Sequence, residues 1–316
     1  MSLYTAVTDT CPPLSRSPDF LSFWQDTLAE LQDIPASIEA KAEQQTDDGL
    51  LLQRVKYRSL NNVVIEGYLL APKESVSGDK PSPLIVYTHG YMSQCEVIRP
   101  WAKQGAMVFG MDIRGFGRSQ NAAPQLSEHG YVLTGIESPH TSILRGAVCD
   151  FIRGVDVAHE LLKNQQRNTV LYGKSFGGAL AAMTAGLTQY GDFLVVAVPT
   201  FSWMEGRRKL VSEGSGAEIN TYIQQHPDQE QNIMDVLSYF DTMNFAPLIQ
   251  CPAMVGVGRQ DTVVPAETVY AFINHLKVEN EVREYPVSHT SLPEEILWDS
   301  YEEEWLARVM AGTFSL

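Results

Sequence analysis

Val170-Leu171-Tyr172-Gly173-Lys174-Ser175-Phe176-Gly177-Gly178-Ala179-Leu180 reads as three elements in succession. The apolar run ending at Tyr172 predicts a strand covered on both faces. Ala179-Leu180-Ala181-Ala182-Met183 predicts a helix packed closely on a sheet. Between them, Gly-x-Ser-x-Gly places Ser175 on a sharp turn, with Gly173 and Gly177 removing side chains that would clash there. A strand, such a turn and a helix make a nucleophile elbow, which lifts a serine hydroxyl above a sheet edge. The positive end of the helix then faces whatever reacts with that hydroxyl.

The chain on either side repeats the strand–helix rhythm. Upstream, Leu84-Ile85-Val86-Tyr87 is a short buried strand ending in His89-Gly90-Tyr91, followed by a helix over 97–104. The strand 106–111 ends in Asp112-Ile113-Arg114-Gly115-Phe116-Gly117. A loop over 119–138 carries His129-Gly130-Tyr131, and a long helix spans 141–164. Downstream, strands are expected at 193–198, 253–258 and 282–285, with helices at 266–276 and 293–310. This alternation predicts an α/β fold built on a doubly wound, mostly parallel sheet. Ligands of such sheets bind at the carboxyl ends of the strands, where each of these motifs sits.

Two regions depart from that rhythm. Near the start, Phe20, Phe23, Trp24, Thr27, Leu28 and Leu31 form one face of a helix over 19–31 that Asp19 can cap. Strands at 50–59 and 63–71, joined through Asn61-Asn62, predict an N-terminal antiparallel pair. The aromatic helix face suits docking on the domain or on a second subunit. Residues 204–244 are polar and helical in pattern. They predict an inserted helical segment serving as lid, specificity wall, subunit contact or surface excursion. The whole chain, 1–316, is expected to be a single domain.

Composition narrows the functional classes. A net charge of −15 argues against nucleic-acid binding, which needs clustered Lys and Arg. No run of about 18 apolar residues predicts a membrane span. The N-terminus shows no apolar core of signal-peptide length. Cys11, Cys95, Cys149 and Cys251 are scattered, with no paired-cysteine motif, which fits a reducing cytoplasm. No His-Glu-x-x-His motif or nucleotide fingerprint is present, so neither a metal nor a cofactor is expected.

A serine hydroxyl needs a base to take its proton and a carboxylate to orient that base. In the α/β-hydrolase fold these partners follow in the order Ser, acid, His. His275 falls inside a predicted helix, whereas His289 lies in the loop after the last strand and suits the base. Of Asp192, Asp228, Asp235, Asp241 and Asp261, only Asp261 directly follows an apolar strand and precedes a Pro-started helix. An oxyanion would take one donor from the backbone N–H of Phe176, the residue after the nucleophile. The other would come from the loop after the 84–87 strand, where Tyr91 is placed. His89 precedes the serine and suits shaping that loop rather than acting as a base. Arg114-Gly115-Phe116-Gly117 suits backbone packing beneath the site.

The chain resembles the acetyl xylan esterase/cephalosporin C deacetylase family of carbohydrate esterases from about Asp19 to His289. The resemblance rests on the 23–30 helix, His89-Gly90-Tyr91, Met111-Asp112-Ile113-Arg114-Gly115 and His129-Gly130-Tyr131. It extends through Gly173-x-Ser175-x-Gly177-Gly178, Leu237-Ser238-Tyr239-Phe240-Asp241, Met243-Asn244 and Gly258-Arg259-Gln260-Asp261-Thr262 with Pro265. It implies a Ser175–His289–Asp261 triad and oxyanion amides from Tyr91 and Phe176. It further implies deacetylation of short-chain esters, acetyl esters of sugars or small molecules, by a cytoplasmic homo-oligomer, a hexamer in the family. Three positions depart from the family pattern: Phe116 and Phe176 stand where it has Gln, and Thr290 where it has Glu. Two such Gln-to-Phe changes remove amide groups and add apolar surface. Other hydrolases, a thioesterase or a peptidase, are the rivals within enzymes; a non-catalytic binding module on the same scaffold is the rival outside them.

Overall fold

The computed structural model describes residues 7–42, 44–76, 82–123, 125–163, 166–286, 289, 304–305 and 307–311. Its strands are β1 (Glu39–Ala40), β2 (Gln44–Gln45), β3 (Leu50–Arg58), β4 (Val64–Pro72) and β5 (Ser82–Thr88). They continue with β6 (Met107–Met111), β7 (Gln166–Lys174), β8 (Phe193–Ala197), β9 (Ala253–Gly258) and β10 (Asn280–Tyr285). All join one sheet in the order β1-β3-β4-β6-β5-β7-β8-β9-β10, with β2 also beside β3. From β6 to β10 along this order neighbours run parallel, and β1, β3 and β4 are antiparallel. The expected antiparallel pair is therefore β3–β4, turned through left-handed Asn61 and Asn62 (φ 62° and 59°).

Every residue of β5, β6 and β9 is buried. Such strands read as continuous apolar runs because both faces of the sheet are covered. On one face, the Tyr87 ring packs edge-on to Trp101 of α2 (Arg99–Lys103) at 5.6 Å, and Tyr172 stacks with Trp305 at 5.8 Å. On the other lies α3 (Ile143–Leu162), whose Gly154 abuts Met111 and the Tyr57 hydroxyl. Gly110 pairs with Tyr87 and Met111 with Thr88, so strand alternation puts these two contacts on opposite faces. The elbow helix α4 (Phe176–Leu187) packs on β7 and β8 beside α3.

The N-terminal helix α1 (Phe20–Gln32) docks on this domain through the aromatic face read from its spacing. Phe23 meets Tyr239 at 4.8 Å, and the Trp24 indole donates to the Tyr239 carbonyl (3.1 Å). Asp19 does not cap the helix with its side chain; its carboxylate instead accepts from the Tyr239 hydroxyl. The insertion forms α5 (Met204–Leu210), α6 (Gly214–Gln225) and α7 (Glu230–Ser238) before β9 and α8 (Ala266–Ile273). Most of the helix expected over 293–310 lies outside the described residues; 307–311 are helical.

Candidate active site

The elbow has the geometry its glycines require. Ser175 adopts φ 52°, ψ −115°, a conformation that costs of order 1–3 kcal/mol and must be held from outside. Its N–H donates to Ala197 (2.9 Å), and its carbonyl accepts from Ala179 (3.0 Å) and Thr200 (3.2 Å). A Cβ on Gly173 would lie 2.2 Å from the Gly177 carbonyl carbon. One on Gly177 would lie 2.6 Å from the Thr88 carbonyl oxygen. The turn thus closes on itself at Gly173 and against the end of β5 at Gly177. Ser175 is half-buried, and its hydroxyl makes no hydrogen bond among the described residues.

Asp261 sits three residues beyond β9, its side chain fully buried. One carboxylate oxygen accepts the N–H groups of Val263 (2.9 Å) and Val264 (2.8 Å). The other accepts from Nδ1 of His289, whose side chain is 19% exposed. That bond fixes the ring, and Nε2 has no hydrogen-bond partner among the described residues. The other aspartates do different work. Asp192 accepts the Thr169 N–H (2.7 Å), and Asp228 and Asp235 are exposed. Asp241, buried in the insertion, accepts from Trp203 (2.9 Å), Met204 (2.8 Å) and Met243 (3.0 Å). His275 lies in the turn just past α8, not within the helix, and its Nε2 meets the Pro12 carbonyl (2.7 Å).

His89 is committed to the loop beside the elbow. Its Nε2 accepts the Ile113 N–H (3.1 Å), so its Nδ1–H donates to the Gly90 carbonyl (2.7 Å). Burial lowers its pKa, consistent with a neutral ring that holds backbone in place. Asp112 completes the support, accepting from Cys95 (2.6 Å) and Arg118 (3.0 Å) backbone N–H groups. Arg114 does more than the backbone packing expected of it. Its guanidinium makes a bidentate buried pair with Asp150 on α3 (2.8 and 2.7 Å) and donates to the Leu60 carbonyl (3.1 Å).

The two phenylalanines that depart from the family pattern are neighbours. Their rings lie 6.1 Å apart, within a cluster that includes His89, Tyr91 and Tyr131. Phe176 is fully buried and also meets Phe201 at 5.8 Å. The expected gain of apolar surface is corrected here, because the Phe176 ring enters the core while its backbone stays at the helix start. The first N–H of a helix has no intrahelical acceptor, so that amide is available to an anion.

Three further residues were not singled out from sequence. Arg207 on α5 is buried, yet has no ion pair among the described residues. Its guanidinium reaches Val263 (3.3 Å) and Ser215 (3.2 Å), and its Nε has no partner among the described residues. Burial lowers it to about 10, against the opposing fields of Asp241 and Asp261. Glu218 on α6 accepts from the Tyr91 hydroxyl (2.6 Å). Met92, beside Tyr91, is left-handed (φ 56°) and 70% exposed. Only three-dimensional proximity links these residues to the elbow; none carries a spacing signal.

A serine on a strained strand–helix turn, over a mostly parallel sheet with an Asp–His pair at later strand ends, defines an α/β-hydrolase. The chain belongs to the acetyl xylan esterase family, matching its model, described as Acetyl xylan esterase (AXE1), over residues 9–301. It is 27% identical over 288 residues to acetyl esterase Axe7A of Xylanibacter ruminicola, covering 87% of this chain and 64% of that relative's length. The acetyl xylan esterase from Paenibacillus sp. R4 has a similar structure, with TM-score 0.87 and 25% identity over 97% of this chain and 99% of that one. Acetyl xylan esterase 1 from Thermoanaerobacterium sp. JW/SL YS485 shares the fold at TM-score 0.86 and 19% identity, covering 98% and 99% of the two chains.

Proposed function

We propose that the protein is a serine esterase that removes short acyl groups, above all acetyl, from small-molecule esters, including acetylated sugars. The observation that carries this reading is the Asp261–His289 pair, which follows Ser175 in the chain order and strand-end positions of this fold. Ser175 attacks the ester carbonyl while Nε2 of His289 takes its proton. Asp261 holds the ring and stabilises the imidazolium. The backbone N–H groups of Phe176 and Tyr91 receive the oxyanion. His289 then returns the proton to the leaving alcohol, and a water activated by the same ring releases the acyl group. No cofactor enters these steps.

Ser175→Ala should lower kcat on p-nitrophenyl acetate by roughly 10⁴-fold or more. Retention of full activity would remove the serine from the mechanism. A panel of acetyl esters, thioesters and aminoacyl amides separates an esterase from a thioesterase or peptidase. Absence of Ser175 labelling by a fluorophosphonate probe would favour a non-catalytic scaffold. A reducing, cytoplasmic setting is part of the same proposal and rests on the scattered cysteines of the sequence, which form no paired motif. Assembly into a homo-oligomer, a hexamer as in the family it resembles, is part of the same proposal; sedimentation of the full chain tests it.

A further inference from the structure

We infer that Glu218 of the insertion is a positioning residue for Tyr91, holding the backbone amide of Tyr91 where an oxyanion would form. This rests on the reading of Tyr91 as an oxyanion donor. The next residue, Met92, is left-handed and largely exposed, a conformation that relaxes unless neighbours fix it.

The Tyr91 side chain supplies that restraint. Its ring packs edge-on to Phe116 (6.1 Å), Phe176 (5.8 Å) and Tyr131 (5.9 Å). Its hydroxyl donates to Glu218 (2.6 Å) and accepts the N–H of Val132 (3.0 Å). Both polar roles of the hydroxyl are filled, one by the insertion and one by the 119–138 loop. Hydrogen bonds to an ionised carboxylate are about twice as strong as neutral ones.

The same contact explains a motif that the proposed mechanism leaves unused. In His129-Gly130-Tyr131, Gly130 has φ +130°, and a Cβ there would lie 2.2 Å from the Glu218 carboxylate. Gly130 therefore makes room for Glu218, while Tyr131 backs the ring that Glu218 holds. Burial, partly offset by the Tyr91 hydrogen bond, raises the Glu218 pKa, as expected of a half-buried acid placed for contact rather than solvation. The insertion is thus tied to the reacting end of the sheet through one side chain.

Steady-state kinetics on p-nitrophenyl acetate with the full-length protein test this. Glu218→Ala should lower kcat about 10–100-fold, a part of the 10²–10³-fold that loss of an oxyanion donor costs, with KM within about threefold. Glu218→Gln, whose amide oxygen can still accept from Tyr91, should restore most of the rate. Tyr91→Phe should reproduce the Glu218→Ala loss, and the double variant should be no slower than either single one. Multiplying losses, or unchanged kcat in Glu218→Ala, would overturn the assignment. If Glu218→Ala fails to fold, Tyr91→Phe tests the same hydrogen bond, and unchanged kcat there overturns it equally. Failure of the esterase reading is separate: it shows as activity that survives Ser175→Ala, whatever Glu218 does.

Discussion

Gly177→Ala sets two opposing effects against each other at the elbow. Alanine is the better helix former by about 0.5–1 kcal/mol, and Gly177 lies in the first turn of α4. The added methyl, however, would lie 2.6 Å from the Thr88 carbonyl oxygen and 3.1 Å from that of His89, both backbone atoms. Restoring an ordinary contact of 3.4 Å requires a shift of about 0.8 Å between the elbow and the end of β5. Overpacking of this kind costs about 1–3 kcal/mol, so the net loss of stability is roughly 0–2.5 kcal/mol. At about 2–4 °C per kcal/mol the Tm falls by no more than about 10 °C, and the protein stays folded at 25 °C. The shift separates the Phe176 amide from the Tyr91 loop, and a misplacement near 1 Å can cost about 10²-fold in rate. Differential scanning fluorimetry and kcat on p-nitrophenyl acetate check the two halves. Gly186→Ala is the control: its methyl would lie 2.9 Å from the Phe245 carbonyl oxygen, at the far end of the same helix. It should lower Tm while leaving kcat unchanged. Wild-type kcat in Gly177→Ala, or equal losses of rate in both variants, would refute the reasoning.

Asp261→Asn should keep the Val263 and Val264 hydrogen bonds through its amide oxygen yet present an N–H to His289. We expect kcat to drop roughly 10⁴-fold with little change in Tm, as measured by the same two assays. Phe116→Ala and Phe176→Ala should each destabilise by about 3–5 kcal/mol, and a double-mutant cycle in urea should show coupling of about 0.5–1.5 kcal/mol. Additive losses there would mean that the two rings act separately. Burial lifts the Asp241 carboxyl to about 6 from its ordinary 3.8, against the pull of three backbone N–H groups. Its folded pKa is raised, so its contribution is fully present below about 3.8 and lost as pH rises through about 6. At about 1.36 kcal/mol per unit, the advantage of wild type over Asp241→Asn should shrink by roughly 3 kcal/mol across that window. Denaturation series from pH 3.5 to 7 measure it; a constant difference would count against the buried, raised carboxyl.

Much of the fold was legible because local rules and burial agreed. The runs at β5, β6 and β9 are apolar because both sheet faces are covered, and Asn61-Asn62 turns where two left-handed residues are needed. The place of Asp261 in the loop between β9 and α8 was legible because an apolar strand end followed by a Pro-started helix marks that loop. By contrast, β1 and β2 span two exposed residues each, too short for any alternation to register. Asp19 looked like a cap because the local rule ignores Tyr239, which lies 220 residues away and takes its carboxylate. Phe176 read as new apolar surface because sequence does not say which way the first side chain of α4 turns. The link from Glu218 to Tyr91 spans 127 residues, so no pattern in either segment announces it.

The segment after β8 has a thermodynamic consequence. Val198, Phe201 and Trp203 are all left-handed without being glycine (φ 39°, 60° and 51°). Thr200 within it donates to the Ser175 carbonyl, and Asp241 holds Trp203 and Met204 by their N–H groups. At about 1–3 kcal/mol each, these conformations are imposed when the chain folds, not when a ligand arrives. The wall beside Ser175 therefore has little conformational entropy left to lose on binding. Calorimetry of a small acetate-ester analogue with Ser175→Ala should then show a heat-capacity change set by the buried ligand surface alone, without the larger signature of a segment folding around it.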